Sequence, residues 1–135
     1  MVCLDTTFLI DVIKGRKEAA AIENELIESE DVISVAVPSI IELFRGLYLE
    51  ANLKHINESE ITKIDSLLST FGILELGKES AARAGKLEAE LMNKGDKVDI
   101  EDIMIAAICI ENDEVLITKN KKHFERIEGL EIKSY

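Results

Sequence analysis

Tryptophan is absent, aromatic residues make up only 4% of the 135 positions, and proline occurs once, at Pro38. With so little aromatic volume, any core must be built from Ile, Leu, Val and Ala. The 47% hydrophobic content is enough for one such core in a chain of this length, and it excludes an intrinsically disordered chain. The seven glycines are scattered, and no Ser/Gly/Pro-rich linker, low-complexity tract or internal repeat divides the sequence, so residues 1–135 are expected to form one domain. No long hydrophobic run is present: the longest, Ile103 to Ile110, falls well short of the ~20 residues that cross a bilayer. The opening Met1-Val2-Cys3-Leu4-Asp5 has no basic segment and carries an acid where an export signal needs apolar residues. The two cysteines, Cys3 and Cys109, lie far apart in apolar runs, which suggests neither a CxxC metal site nor a disulfide framework, and a reduced, cytoplasmic protein is expected. Cations are scarce as well, 16 Lys+Arg against 27 Asp+Glu, for a net charge of −11. That balance argues against holding nucleic acid by bulk electrostatics, yet it is compatible with a local basic patch, a basic partner or bound metal cations.

What is present is an alternation of short apolar strands with helix-period segments. Val2-Cys3-Leu4 reads as a buried strand, and Phe8, Leu9, Val12 and Ile13 follow at helical spacing up to Gly15. Ala19 to Glu28 reads as a second helix. Val32 to Val37 is β-branched and nearly continuous, as a strand covered on both faces should be, and Pro38 then suits the first position of a helix running to about Lys54. Further along, a helix over Glu60 to Ser69, a strand over Gly72 to Leu76, and helices over Ser80 to Asn93 and Ile100 to Glu111 are expected. The strand Val115 to Thr118, a short helix Lys121 to Ile127 and a strand Leu130 to Lys133 complete the pattern. Such alternation predicts an α/β fold, a parallel sheet of four to five strands with helices on both faces.

In open parallel sheets ligands sit beyond the carboxyl ends of the strands, so the polar residues just after each strand deserve the closest reading. Asp5 follows the first strand with Thr6 and Thr7 beside it, a placement equally suited to a helix cap. Glu42 stands in the apolar sequence Val37-Pro38-Ser39-Ile40-Ile41-Glu42-Leu43-Phe44, unexpected company for a carboxylate unless something charged receives it. Gly46 falls on the same helical face and leaves room for a close approach, and Arg45 either pairs with Glu42 or reaches towards a phosphate. Asp99 and Asp102 sit at the start of the helix Ile100 to Glu111, where the helix dipole alone would favour an acid. Thr118 and Asn120 bring a hydroxyl and an amide to the same sheet edge. Carboxylates crowded within ~4 Å repel by about 4 kcal/mol per pair at an effective dielectric near 20, so they must protonate or take up a cation. Oxygen ligands without a Cys/His set point to Mg2+ or Mn2+ rather than zinc, and His55 and His123 are not spaced as a metal pair. Such an ion suits hydrolysis of a phosphodiester. The basic stretch Lys119 to Arg126 beside this edge is equally readable as a track for a nucleic-acid backbone or as a solvated helix face.

These segments together resemble the PIN-domain family, in particular its VapC-type toxins. Leu4-Asp5-Thr6-Thr7-Phe8-Leu9-Ile10 is similar to the family's first acidic motif, Ile41-Glu42-Leu43-Phe44-Arg45-Gly46 to its Glu-Leu-x-x-Gly helix, and Asp102-Ile103-Met104-Ile105-Ala106-Ala107 to its Asp-x-x-Ile-Ala-Ala motif. Leu116-Ile117-Thr118-Lys119-Asn120 with His123-Phe124 resembles the final segment. The resemblance covers nearly the whole chain. It implies a PIN-like α/β/α sandwich and a metal-dependent endoribonuclease, with Asp5, Glu42 and Asp102 as the acidic site and Asn120 as a further catalytic position. Thr6, Arg45 and Thr118 would then position substrate. The chain departs from many relatives in having Asn120 where they carry an acid, which implies one charged ligand fewer or its replacement by Asp99. The resemblance also implies a homodimer, inhibited by a cognate VapB-type antitoxin that binds operator DNA, with apolar surface on the helices Ala19 to Glu28 and Pro38 to Lys54 available for the two-fold contact.

Two other classes compete. A phosphatase-like domain would use Asp5 as nucleophile, but no Asp-x-Asp pair follows the first strand. An RNA- or protein-binding domain with the same fold would have lost productive metal binding through Asn120.

Overall fold

The computed structural model describes residues 1–135 and contains all the expected strands and helices. Strands β1 (Val2–Leu4), β2 (Ile33–Ala36), β3 (Gly72–Leu74), β4 (Val115–Thr118) and β5 (Ile132–Ser134) form one sheet of order β3-β2-β1-β4-β5. Every neighbouring pair is parallel. The helices are α1 (Thr6–Ile13), α2 (Lys17–Glu28), α3 (Val37–Glu50), α4 (Glu58–Leu68), α5 (Lys78–Asn93), α6 (Ile100–Glu111) and α7 (Lys121–Phe124). None of them is long and apolar enough to cross a membrane.

The pleat divides the aliphatic content into two cores. Val2, Leu4, Val35 and Ile117 point to one face, where Phe8 and Leu9 of α1, Ala19 and Leu26 of α2, Leu43 of α3 and Ile64 of α4 cover them. Cys3, Ala36 and Leu116 point to the other, covered by Ala84, Leu87 and Leu91 of α5 and by the buried middle of α6, Ile103 and Ile105 to Cys109. Each large aliphatic side chain removed from water in this way contributes about 1.5–3 kcal/mol. The two cysteines, distant in sequence, are neighbours in the second core, where the Cys3 thiol, burial and nearby acids push the Cys109 thiol far above its ordinary range and leave it inert.

Element boundaries differ from expectation where backbone geometry rather than hydrophobic period decides. Helix α3 begins at Val37 and ends at Glu50, not Lys54, because Asn52 and Leu53 adopt left-handed conformations (φ 51° and 60°) that no helix can continue. Gly129 turns the chain with φ 84°, and β5 starts at Ile132, later than the expected Leu130. Helix α7 is a single turn ending at Phe124. Gly46 also reads differently from its sequence: a Cβ there would meet nothing within 4 Å, so no close backbone approach explains it.

The strand order has a functional consequence. From β1 the chain moves outward through β2 to β3, then returns across the sheet to β4 on the other side of β1. Connections therefore diverge between β1 and β4, and a crevice opens at their carboxyl ends, the customary ligand position in such sheets.

Candidate active site

Asp5 stands at that divergence, only 3% exposed. It is the cap of α1, as one sequence reading had it, and it is also the best-held carboxylate in the protein. The Thr6 backbone N–H donates to its Oδ1 (2.8 Å), and the hydroxyls of Thr7 (2.9 Å) and Thr118 (2.7 Å) donate to its Oδ2. Burial pushes the Asp5 carboxyl above its ordinary value, and these donors only partly offset the effect. Thr118 is itself fully buried and accepts from the Asn120 backbone N–H (3.0 Å), so β4 and the turn after it are locked to Asp5.

Glu42 reaches the same crevice from α3, where the Thr6 hydroxyl donates to its Oε1 (2.7 Å). Thr6 thus ties two of the acids together, one through its backbone and one through its side chain. Burial, the Asp5 charge and the Glu101 charge raise the Glu42 carboxyl. Asp102, from the first turn of α6, is raised to about 6 by burial and by the charges of Asp5 and Glu42, while His123, whose Nδ1 lies 3.4 Å from Asp102 Oδ2, draws it back. Carboxylates that titrate against one another in this manner share one electrostatic pocket.

The remaining sequence candidates fall at the rim. Arg45 pairs with Glu101, and its second amino group is 3.9 Å from Glu42, which resolves its role in favour of ion pairing in this state. Asp99 is exposed at the start of α6, its side chain caps nothing, and the structure leaves it outside the carboxylate group; Glu101, two residues on, stands at Arg45 instead. The direction of the helix start decides between them, which spacing alone does not reveal. Asn120 is exposed and acts through its backbone N–H rather than its amide side chain. Sequence reasoning gave no site role to Thr7, Glu101 or His123. The Thr-Thr pair after Asp5 was the available signal for Thr7, and the resemblance at His123-Phe124 was the signal for His123.

The donor set consists of hard oxygen atoms, and the nearby cations Arg45 and Lys119 are engaged mainly by Glu101 and Asp11, with Arg45 only 3.9 Å from Glu42 as a second, longer contact. Negative charge is therefore in excess, and the residues fit a divalent ion of the Mg2+ class. They do not form a closed cage as they stand: no three His, Cys, Asp or Glu side chains converge to ion-binding distance, since Glu42 is turned to Thr6 and Asp102 to His123. Removing the Thr118 hydroxyl tests how the pocket is held. Thr118→Val is expected to leave Asp5 and the Asn120 N–H each short of a partner and to destabilise the protein by roughly 1–3 kcal/mol, measured by urea denaturation.

Comparison with known proteins agrees with this geometry. The sequence profile of the PIN domain matches residues 2–130. The chain is 30% identical to the ribonuclease VapC2 of Haemophilus influenzae over 132 residues, covering 98% of this chain and 96% of that protein. It is 39% identical over 87 residues to a VapC ribonuclease of Pyrococcus furiosus, a match that takes in 64% of this chain and 56% of the relative. The structure of VapBC2 from Rickettsia felis bound to a DNA fragment from their promoter superimposes with a TM-score of 0.86 at 26% identity, over 100% of this chain and 99% of that one. With the parallel sheet, the order of its motifs and these matches in hand, the chain belongs to the PIN-domain family, in its VapC branch.

Proposed function

We propose that this protein is a ribonuclease that hydrolyses RNA phosphodiester bonds with Mg2+ or Mn2+ held by Asp5, Asp102 and Glu42. The observation that carries the reading is the gathering of three buried or half-buried carboxylates from β1, α3 and α6, each raised above its ordinary value. When bound, such an ion supplies positive charge to a phosphoryl oxygen and lowers the pKa of water. The chain's own residues do the rest. Asp5 is fixed by its three donors, so its oxygens need no reorganisation on binding. Glu42, oriented by Thr6, is placed to hold the ion or to take a proton from the attacking water. Thr118 keeps the turn carrying Asn120 against Asp5.

The partner follows from the solved VapBC2 assembly of Rickettsia felis, which is bound to a DNA fragment from their promoter. A cognate VapB-type antitoxin is proposed for this chain, with operator DNA met only through it. The groove of about 650 Å³ between α1, α3 and α4, lined by Ile10, Ile13, Leu43 and Leu47 and bordered by Glu42, gives such a partner an apolar seat next to the acids. A homodimer is proposed too, since Ile41 and Leu49 of α3 stand exposed.

The reading is tested with purified protein and single-stranded RNA. Cleavage is expected with Mg2+ or Mn2+, and none in EDTA. Undiminished cleavage in EDTA overturns the metal assignment, and no cleavage with any divalent ion overturns the nuclease.

A further inference from the structure

Beside the carboxylates lies a second cluster that the nuclease reading does not use. Asp11 of α1 is 8% exposed and is met from three directions. The Tyr135 hydroxyl donates to its Oδ2 (2.9 Å), the Lys119 ammonium stands 3.4 Å from that same oxygen, and Arg16 Nε is 3.2 Å from Oδ1. The Tyr135 ring packs edge-on against the fully buried Phe8, with centroids 5.0 Å apart at 88°, and Lys119 Nζ lies 5.9 Å from the ring centroid. One acid is thus shared by two cations and a phenol, and the cluster keeps a net positive charge. Arg16 and Lys119 are its two half-exposed members, and Lys119 is the one directly after the Thr118 that holds Asp5.

We propose that Lys119 is the residue that meets a phosphate of single-stranded RNA next to the carboxylate site, and that Tyr135 is a positioning residue which keeps Lys119 available by occupying Asp11 Oδ2. The inference rests on the nuclease reading for the identity of the substrate. Its own support is geometric. Two donors compete for one carboxylate oxygen, and the phenol holds the shorter contact, so the ammonium is left loosely paired at 3.4 Å. Without the hydroxyl nothing shares that oxygen, and Lys119 closes on Asp11 as a full ion pair and withdraws from the crevice. The surroundings suit a polyanion in a chain that otherwise repels one. Lys119 opens a depression of about 480 Å³ lined also by Asn120, Lys121, Lys122, His123 and Glu125, three lysines against one acid with no hydrophobic residue. Lys121 and Lys122 form no ion pair, whereas all four arginines are engaged by acids: Arg16 by Asp11, Arg45 by Glu101, Arg83 by Glu111 and Arg126 by Asp96.

The test measures binding and cleavage separately. Binding of a fluorescein-labelled single-stranded RNA is followed by anisotropy across a salt series, and kcat and KM are measured with Mg2+. Lys119→Ala is expected to weaken RNA binding and raise KM about five- to tenfold with kcat little changed, and to reduce the slope of log K against log salt by about 0.7. Tyr135→Phe retains every charge and the ring packing, and is expected to raise KM about threefold or more. In the double variant the Tyr135→Phe effect should vanish, because the hydroxyl acts only through Lys119. A Tyr135→Phe effect of equal size with and without Lys119 makes Tyr135 merely structural and overturns its role. Unchanged RNA affinity and salt slope in Lys119→Ala overturn the inference as a whole. If RNA binding responds as expected while no variant, nor the unmodified protein, cleaves, the inference stands and the nuclease reading falls. Normal cleavage with no response to Lys119→Ala leaves the nuclease and removes the inference.

Discussion

Asp5→Asn is expected to lower RNA cleavage by roughly 10²- to 10³-fold at saturating Mg2+ while leaving the fold intact. The two side chains have the same shape, so the cap of α1 and the packing at the end of β1 persist. The charge does not. Asp5 is the only one of the three acids held by three donors, one backbone N–H and two hydroxyls, and it therefore presents the most rigid anionic oxygens to an ion. An Asn keeps an acceptor for the Thr6 N–H, and its amide can donate to the Thr7 and Thr118 hydroxyls, but the buried Thr118 O–H then loses the carboxylate oxygen that accepted its proton. Stability without a cation should change little, because making neutral a carboxylate whose charge is opposed by burial offsets the hydrogen bond that the Thr118 O–H loses. The check is a cleavage rate beside a thermal melt of the same preparation. Cleavage within a factor of about three of the unmodified protein removes Asp5 from the site.

Much of this was legible in the sequence because two periodicities coincide with real faces. The apolar runs before Asp5 and Pro38 are strands covered on both sides, and Ile103 and Ile105 to Cys109 are buried because α6 is packed between the sheet and α5. The gathering of Asp5, Glu42 and Asp102 was legible for a topological reason: each follows a strand or lies in the first two turns of a helix at the carboxyl edge of a parallel sheet, and a parallel sheet has one such edge. Side-chain direction was not legible. Asp99 and Glu101 lie on either side of the first turn of α6, and only the angle at which that helix meets the sheet decides that Glu101 pairs with Arg45 while Asp99 faces solvent. Nor was the Asp11 cluster legible, since Asp11 is more than a hundred residues from both Lys119 and Tyr135 and meets them only when β5 joins the sheet beside β4. The early end of α3 was hidden for a third reason: Asn52 and Leu53 carry left-handed backbones, and a leucine gives no sign of one.

In EDTA the protein is expected to lose stability as the pH rises from about 4 to about 6, and excess Mg2+ should reverse that trend. The sign follows from the acids themselves. Asp5, Glu42 and Asp102 are all raised in the folded protein, so each binds its proton more tightly folded than unfolded. Their protonated forms favour the fold at low pH, and that contribution disappears as the solution passes from the ordinary carboxylate value through about 6, the value for Asp102. Water reaches the rim where Asp102 sits, 14% exposed, which limits its own part to roughly 1–2 kcal/mol. Asp11 and Glu101 act in the opposite sense, being held low by their partners, but they matter only below the ordinary range and leave this window clear. A divalent ion binds the ionised carboxylates alone, so its effect grows over the same interval. At about a hundredfold excess over its dissociation constant it adds about 2.7 kcal/mol, which raises the melting temperature by about 10 °C near pH 7.5 and hardly at all near pH 4. Melting curves at both pH values with EDTA and with Mg2+ decide the matter. A metal shift of equal size at both places the ion elsewhere, and an EDTA melting temperature that climbs between them means that the three acids do not share a pocket.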